Sequence, residues 1–338
     1  MNAHRALAAT ATAAVLVAGC SGSVRLSGAI EGEVPPTTSV VAATPPTCTA
    51  EQNALDATRS YEPQGALPSP DDLPAGSTMA AIRDRGKLIV GVSGDTLLFG
   101  ARNTLTNQIE GFDIDMLKEV AKAIFGEDGE SHITYKVITY ADRLPNLEAG
   151  PDNGGVDIVA HTMTINCNRW LRIAFSSEYF DAGQRVLVKL GSGFKSIEDL
   201  NADKAIVCAP EGSTNIDLLR KNEDNKFGDL VVLAKPDVTD CLVAMQQGQA
   251  DGATGDDTVL AGLADQDPNT VVVGEKFTSE PYGLGMAKDK VDFVRFVNGV
   301  IEEMRTDGRW KAIYSKWLVG VLSDTVIDPP PAVYGRDG

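Results

Sequence analysis

The first apolar stretch of the chain, Ala6 to Val17, comes after a polar start carrying one cation, Arg5, and is too short to span a bilayer. It ends in Val17-Ala18-Gly19-Cys20, small residues leading into a cysteine. That is the pattern a lipoprotein-processing peptidase reads, so residues 1–19 are expected to leave as a signal peptide and Cys20 to carry a lipid; a plain signal peptide is the alternative. From 20 to 47 the chain is rich in Pro, Thr, Ser, Val and Ala without apolar periodicity, which predicts a tether. Residues 48–77 stay Pro-rich but carry Leu55, Tyr61 and Leu67, which predicts an arm packed loosely on the globular part of the chain.

Near Thr78 a regular rhythm begins. A short helix, Met79 to Arg85, stops at Gly86 and feeds a strand from Lys87 to Val92. A helix is expected over 113–125, a strand over 134–139, a helix over 142–148, and strands at 156–160 and 185–190. The rhythm then restarts: strand 205–208, helix 215–222, strand 229–233, helix 239–247, strand 252–254. Repeated βα units imply parallel, helix-covered sheets, and two such sets with an extended stretch between them imply two α/β lobes. Ligands of open parallel sheets bind beyond the carboxyl ends of the strands, which here points to a cleft between the lobes.

Composition narrows the partners. The 338 residues carry a net charge of −17 and are 43% hydrophobic, enough for a sizeable core and unsuited to nucleic acid. Such a surface also opposes purely electrostatic adsorption to an anionic membrane, so attachment would rest on the lipid. With Cys20 set aside, Cys48, Cys167, Cys208 and Cys241 remain, an even set that outside the cytoplasm reads as two disulfides. Of the three pairings, Cys208 with Cys241 is favoured, because a strand and the next helix of one lobe lie side by side, and this leaves Cys48 with Cys167. A metal site is disfavoured, since no CxxC pair or suitably spaced His accompanies them, and no cofactor is implied.

The block Gly111-Phe112-Asp113-Ile114-Asp115-Met116-Leu117-Lys118-Glu119-Val120-Ala121 resembles the signature of family 3 extracellular solute-binding proteins, the polar amino-acid binders. Other blocks occur in the family's order: Gly154 to Val159, Thr162 to Arg169, Glu211 to Thr214, Gly248 to Gly252, Asp256-Asp257, Tyr282-Gly283-Leu284 and Asp307 to Trp317. The resemblance spans about 78–319 and implies a type II periplasmic-binding-protein fold, α/β, with two lobes joined by a two-segment hinge. Lobe 1 would comprise 78–184 and 277–325, lobe 2 would comprise 185–276, and 326–338 would form a tail. The crossings are expected near 183–187 and 276–282. Implied partners are a small amino acid, captured for an ABC permease or presented to a membrane sensor, with a monomer as the family default.

An α-amino acid needs a donor fork for its carboxylate and an anion for its ammonium. Arg169 aligns with the family's carboxylate-binding arginine, Thr164 would add its hydroxyl and amide, and Asp256 aligns with the ammonium acceptor, with Asp257 beside it as a helix cap. Ser213 and Thr214 precede a helix opening, where anions or ordinary capping are favoured. Arg143, in a block resembling the glutamate and aspartate branch, and Arg102 are candidates for a side-chain carboxylate. Tyr140 would cover the ligand. Ser93 stands where amide binders carry an acid, and Thr162 replaces a common glycine, narrowing the pocket. Glutamine and asparagine stay open as ligands. A dehydratase of the same fold is the enzyme alternative; Glu211 would be its general acid, and three histidines in no recognisable motif offer no hydrolytic triad.

Overall fold

A computed structural model describes residues 47–49, 52, 56–221 and 226–337. The expected signal peptide, Cys20 and residues 20–46 of the tether lie outside these residues, as does Leu55.

The first helix, α1 (Thr78–Arg85), starts at Ser77, whose side chain accepts the Ala80 N–H, and stops at Gly86 in the left-handed conformation. Strand β1 (Leu88–Val92) comes next, then a small antiparallel ribbon of β2 (Asp95–Thr96), β3 (Gly100–Arg102) and β4 (Ile109–Glu110). The chain continues with α2 (Phe112–Phe125), β5 (Ile133–Val137), α3 (Arg143–Ala149), β6 (Ile158–Ala160), α4 (Cys167–Trp170) and β7 (Ile173–Phe175). It crosses through β8 (Phe180–Ala182) into β9 (Gln184–Lys189), α5 (Ile197–Ala202), β10 (Ile206–Pro210), α6 (Thr214–Lys221), β11 (Val231–Lys235), α7 (Val238–Gln246), β12 (Gly252–Asp256), α8 (Asp257–Gln266) and β13 (Thr270–Val273). It returns through β14 (Glu280–Tyr282) to β15 (Gly285–Ala287), α9 (Val291–Asp307) and α10 (Arg309–Trp317).

Two five-stranded sheets result, ordered β5-β1-β6-β15-β7 and β11-β10-β12-β9-β13. Both are mixed rather than wholly parallel, and the cause is the same in each. The odd strand, β15 in one sheet and β9 in the other, is the one entered directly from a crossing, and it pairs antiparallel with both neighbours. A chain arriving from the opposite lobe enters at the carboxyl ends of the parallel strands, so it has to run the other way. The crossings themselves pair as a ribbon, β14 against β8, with Gln184 already part of the second sheet.

Strand alternation divides the second lobe's core: Leu187 and Cys208 pack beneath α7 and α8, whereas Val186, Val188 and Val207 face the other way onto Ile197, Leu200 and Leu219. Cys208 is bonded to Cys241 with Cα atoms 5.5 Å apart, and Cys48 to Cys167 at 6.1 Å, the pairing favoured from sequence.

The arm is not loose. Ser60 is fully buried; its hydroxyl donates to the Phe175 carbonyl, and its backbone pairs with Val333 and Arg336 of the C-terminal segment. Asn298 donates to the Tyr61 carbonyl, the Trp170 indole donates to the Ala57 carbonyl, and Arg336 lies 3.7 Å over the Trp170 ring. Arm and tail are thus stitched to each other and to α4, because each supplies backbone groups that the lobe's side chains satisfy.

Candidate ligand-binding cleft

The carboxyl ends of the parallel strands deliver side chains to one place. After β6 the chain turns sharply at Thr162, whose φ of 41° is strained for a β-branched residue. Asp113, in the first turn of α2, holds that turn by accepting the Thr162 N–H at 2.8 Å and the Tyr179 hydroxyl at 2.6 Å. Burial pushes the Asp113 carboxyl up to about 6 despite these bonds. The loop ends in α4, capped by Asn166, whose side chain accepts the Arg169 N–H.

Arg169 is 7% exposed and Arg143 only 1%. Arg169 donates to the Thr164 carbonyl at 2.6 Å and, across the cleft, to the Gly212 carbonyl at 3.3 Å. Arg143 donates to the carbonyls of Tyr140, His161 and Thr162 on its own side and to the same Gly212 carbonyl at 3.0 Å. Two buried cations therefore converge on one oxygen of the opposite lobe. Among the described residues neither guanidinium is hydrogen-bonded to a carboxylate. Burial lowers both pKa values, that of Arg143 to about 9 with Arg169 as a second cause. The same surroundings hold His161 down to about 3, so its ring is neutral; it pairs with the Ile138 carbonyl and stands edge-on to Tyr140 at 4.6 Å.

The second lobe contributes the anion. Asp256, at the end of β12 and 4% exposed, accepts from the Asn215 amide at 2.8 Å and from the Tyr282 hydroxyl at 2.6 Å. Burial and the nearby Glu280 raise it to about 7. Thr214, the first residue of α6, donates to Glu280 at 2.7 Å and lies 3.3 Å from the Thr164 hydroxyl across the cleft. Tyr140 belongs to the first lobe in sequence yet packs into the apolar cluster of α7 and α8, with Arg143 4.6 Å over its ring. The lobes are in contact elsewhere too: the Asp95 carboxylate accepts the Thr239 N–H in the first turn of α7 at 3.2 Å.

The family model of bacterial extracellular solute-binding proteins, family 3, matches residues 88–320. The chain belongs to this family. The family-3 protein is 38% identical over 241 residues to the ABC transporter glutamine-binding protein GlnH of Bacillus subtilis, covering 71% of this chain and 84% of that one. It is 31% identical over 257 residues to the glutamate-binding protein GluB of Corynebacterium efficiens, covering 73% and 84%. Among solved structures it is similar to the P235GK mutant of the ArgBP of T. maritima, with 29% identity, a TM-score of 0.62, and coverage of 71% and 98%. No helix among the described residues is long and apolar enough to cross a membrane.

Of the candidates named from sequence, this family-3 protein brings together Arg169, Thr164, Asp256, Thr162, Thr214, Arg143 and Tyr140. Ser213 adjoins them, but its hydroxyl is spent on the Pro210 carbonyl and the Ile216 N–H, the ordinary cap of α6. Ser93 is buried at the end of β1 and turned into its own loop, bonded to Asp95 and Thr96. Arg102 is exposed on the ribbon and bonded to Asn107. Asp257 does not cap α8; it accepts the Gly183 N–H and pairs with Lys276, clamping the first crossing. Glu211 forms a two-bonded, half-exposed pair with Arg220. Sequence reasoning missed Glu280, Tyr282 and Asn215 as partners of the site. Tyr282 opens one of the blocks noted above, and a Glu and a Tyr two apart in an extended segment place both side chains on one face of a strand.

Proposed function

We propose that this chain is the exported, lipid-anchored binding component of an ABC importer and that its lobes close over a dicarboxylic amino acid, glutamate or aspartate. The observation that carries the reading is the pair of buried guanidinium groups, Arg143 and Arg169, bonded only to carbonyls. A buried cation with no carboxylate bonded to it is costly, and a ligand with two carboxylates supplies one for each. The α-carboxylate would take the Arg169 fork with the Thr164 hydroxyl, the ammonium would take Asp256, and the side-chain carboxylate would take Arg143 beneath the Tyr140 ring. Donors on one lobe and the acceptor on the other make closure depend on a ligand that bears both charges. Affinity in the micromolar range requires about 8 kcal/mol net.

Glutamine is the second reading, favoured by the Bacillus subtilis relative and by the four carbonyls that already occupy Arg143. The same site would serve a receptor that presents its ligand to a membrane signalling partner; loss of uptake on deletion of the gene supports the importer, whereas intact uptake with a lost response supports the sensor. The Bacillus subtilis and Corynebacterium efficiens relatives carry the names of binding proteins rather than enzymes.

Calorimetric titration of the purified protein, freed of bound amino acid, against glutamate, aspartate, glutamine and asparagine tests the assignment. Tight binding of an acid that Arg143→Ala weakens by at least ~2 kcal/mol, with little change for the amide, is the expected result. Tight glutamine binding indifferent to Arg143→Ala would overturn the dicarboxylate reading.

A further inference from the structure

The lobes also meet backbone to backbone, at the middle of α8. Gly262 is buried there, beside Leu260 and Leu263 of the second lobe's core. Its backbone is ordinary helix, so the conformation does not call for glycine, and in a helix interior alanine is the better residue. What calls for glycine is the neighbour. A Cβ at 262 would lie 2.6 Å from the Leu97 carbonyl oxygen and 3.2 Å from the Leu97 Cβ, both in the first lobe. Each side is braced. Leu97 donates its N–H to the Asp95 carbonyl, Asp95 and Thr96 are bonded to the Ser93 hydroxyl, and Leu98 and Phe99 pack into the first lobe's core. The same loop meets the first turn of α7 through Asp95 and Thr239.

We infer that Gly262 is a positioning residue: it sets how far the lobes close, and through closure the affinity for the amino acid. The inference rests on the reading of the cleft as an amino-acid site that closes over its ligand. Gly262 follows Asp256 by six residues, about 9 Å along α8 at 1.5 Å per residue. A tilt of the helix that relieves a clash at 262 therefore carries Asp256 away from the first lobe. Moving a methyl from 2.6 Å to ordinary contact at 3.4 Å asks for about 0.8 Å of separation. The bonds across the cleft have no such slack: Arg169 and Arg143 reach the Gly212 carbonyl at 3.3 and 3.0 Å, and the Thr164 and Thr214 hydroxyls stand 3.3 Å apart. An amino acid held by Arg169 at one end and Asp256 at the other would lose its grip at one of them.

When the lobes part, the three atoms nearest to a methyl at 262 leave together, since all belong to Leu97. Gly262→Ala thus penalises the closed form and spares the open one. Capture begins from open lobes and release from closed ones, so the loss of affinity falls on the dissociation rate. The substitution also removes a glycine from a helix interior, so the ligand-free protein should melt no lower than the wild type.

The test compares the full chain with Gly262→Ala by calorimetry, stopped-flow binding and thermal melts, with L-glutamate and L-glutamine as probes. For the probe that the wild type binds more tightly, Kd should rise about ten- to a hundredfold, carried by faster dissociation, with association unchanged and the ligand-free melting temperature at or above the wild-type value. A Kd within threefold of the wild type, or a loss carried by slower association, overturns the inference. Weaker binding from a variant that melts lower without ligand, or that does not fold, also overturns it, because Gly262 then serves α8 itself. Each of these outcomes leaves the amino-acid reading intact, since the wild type still binds. A wild type that binds neither probe nor any other amino acid overturns both.

Discussion

Arg169→Ala is expected to weaken amino-acid binding by about 3–5 kcal/mol, at least a hundredfold in Kd, with little change in thermal stability. The loss exceeds that of an exposed ion pair because two charges are orphaned at once. The ligand carboxylate enters a buried place without its fork, and Asp256 on the other side remains to be neutralised across a misaligned ligand. Arg169→Lys should recover only part of the loss, since an ammonium cannot reproduce two parallel bonds. Stability should be spared because α4 is held independently by the Asn166 cap, the Cys48–Cys167 bond and the Trp170 indole on Ala57. Calorimetry alongside a thermal melt separates the two effects; a variant that melts as the wild type and binds within threefold of it would remove Arg169 from the site.

Gly111→Ala is expected to be among the most damaging single-methyl changes for the fold. Its φ is 143°, and an added Cβ would sit 2.2 Å from the Phe99 carbonyl oxygen, a backbone atom that cannot step aside. Phe99 is itself fixed, with its ring edge-on to Phe180 and Tyr282. Gly111 opens α2, and its neighbours Phe112 and Asp113 donate to the carbonyls of Leu98 and Phe99, so the clash pries the ribbon from the helix that supports Thr162. The expected cost is about 3–5 kcal/mol, a fall in Tm of roughly 10 °C. Gly126→Ala is the control: φ is 96° there too, but nothing lies within 4 Å of the added methyl, so only the backbone strain, about 1 kcal/mol, should appear.

The parallel strands and their helices were legible because each carries its own periodicity: α2 was expected from 113 and begins at Phe112, and β1 was expected from Lys87 and begins at Leu88. The short antiparallel pieces β2, β3, β7, β8, β14 and β15 were not, since two or three residues make no pattern and their strand character comes from partners far along the chain. The pairing of Cys208 with Cys241 was favoured as a strand beside its following helix, but Cys208 is on β10 and Cys241 one βα unit later on α7; they meet because α7 links β11 to β12, which flank β10 in the sheet. Arg169, Thr164 and Asp256 were visible through a family motif. Arg102 carried no local signal of its surroundings; on the ribbon it is exposed and bonded to Asn107. Glu280 was passed over because nothing local distinguishes it; its hydrogen bond from Thr214, 66 residues away along the chain, is a tertiary contact. The arm looked loose from its prolines, yet Ser60 is fully buried, because a Pro-rich extended chain presents unpaired backbone groups that a neighbouring lobe can satisfy.

The most direct measurement of the central claim is a crystal structure of the protein grown with L-glutamate. One ligand is expected between the lobes, its α-carboxylate on Arg169 and Thr164, its ammonium on Asp256 and its side-chain carboxylate turned toward Arg143. Glutamate seated elsewhere, or between the lobes with its ammonium away from Asp256 and its α-carboxylate away from Arg169, would contradict the claim.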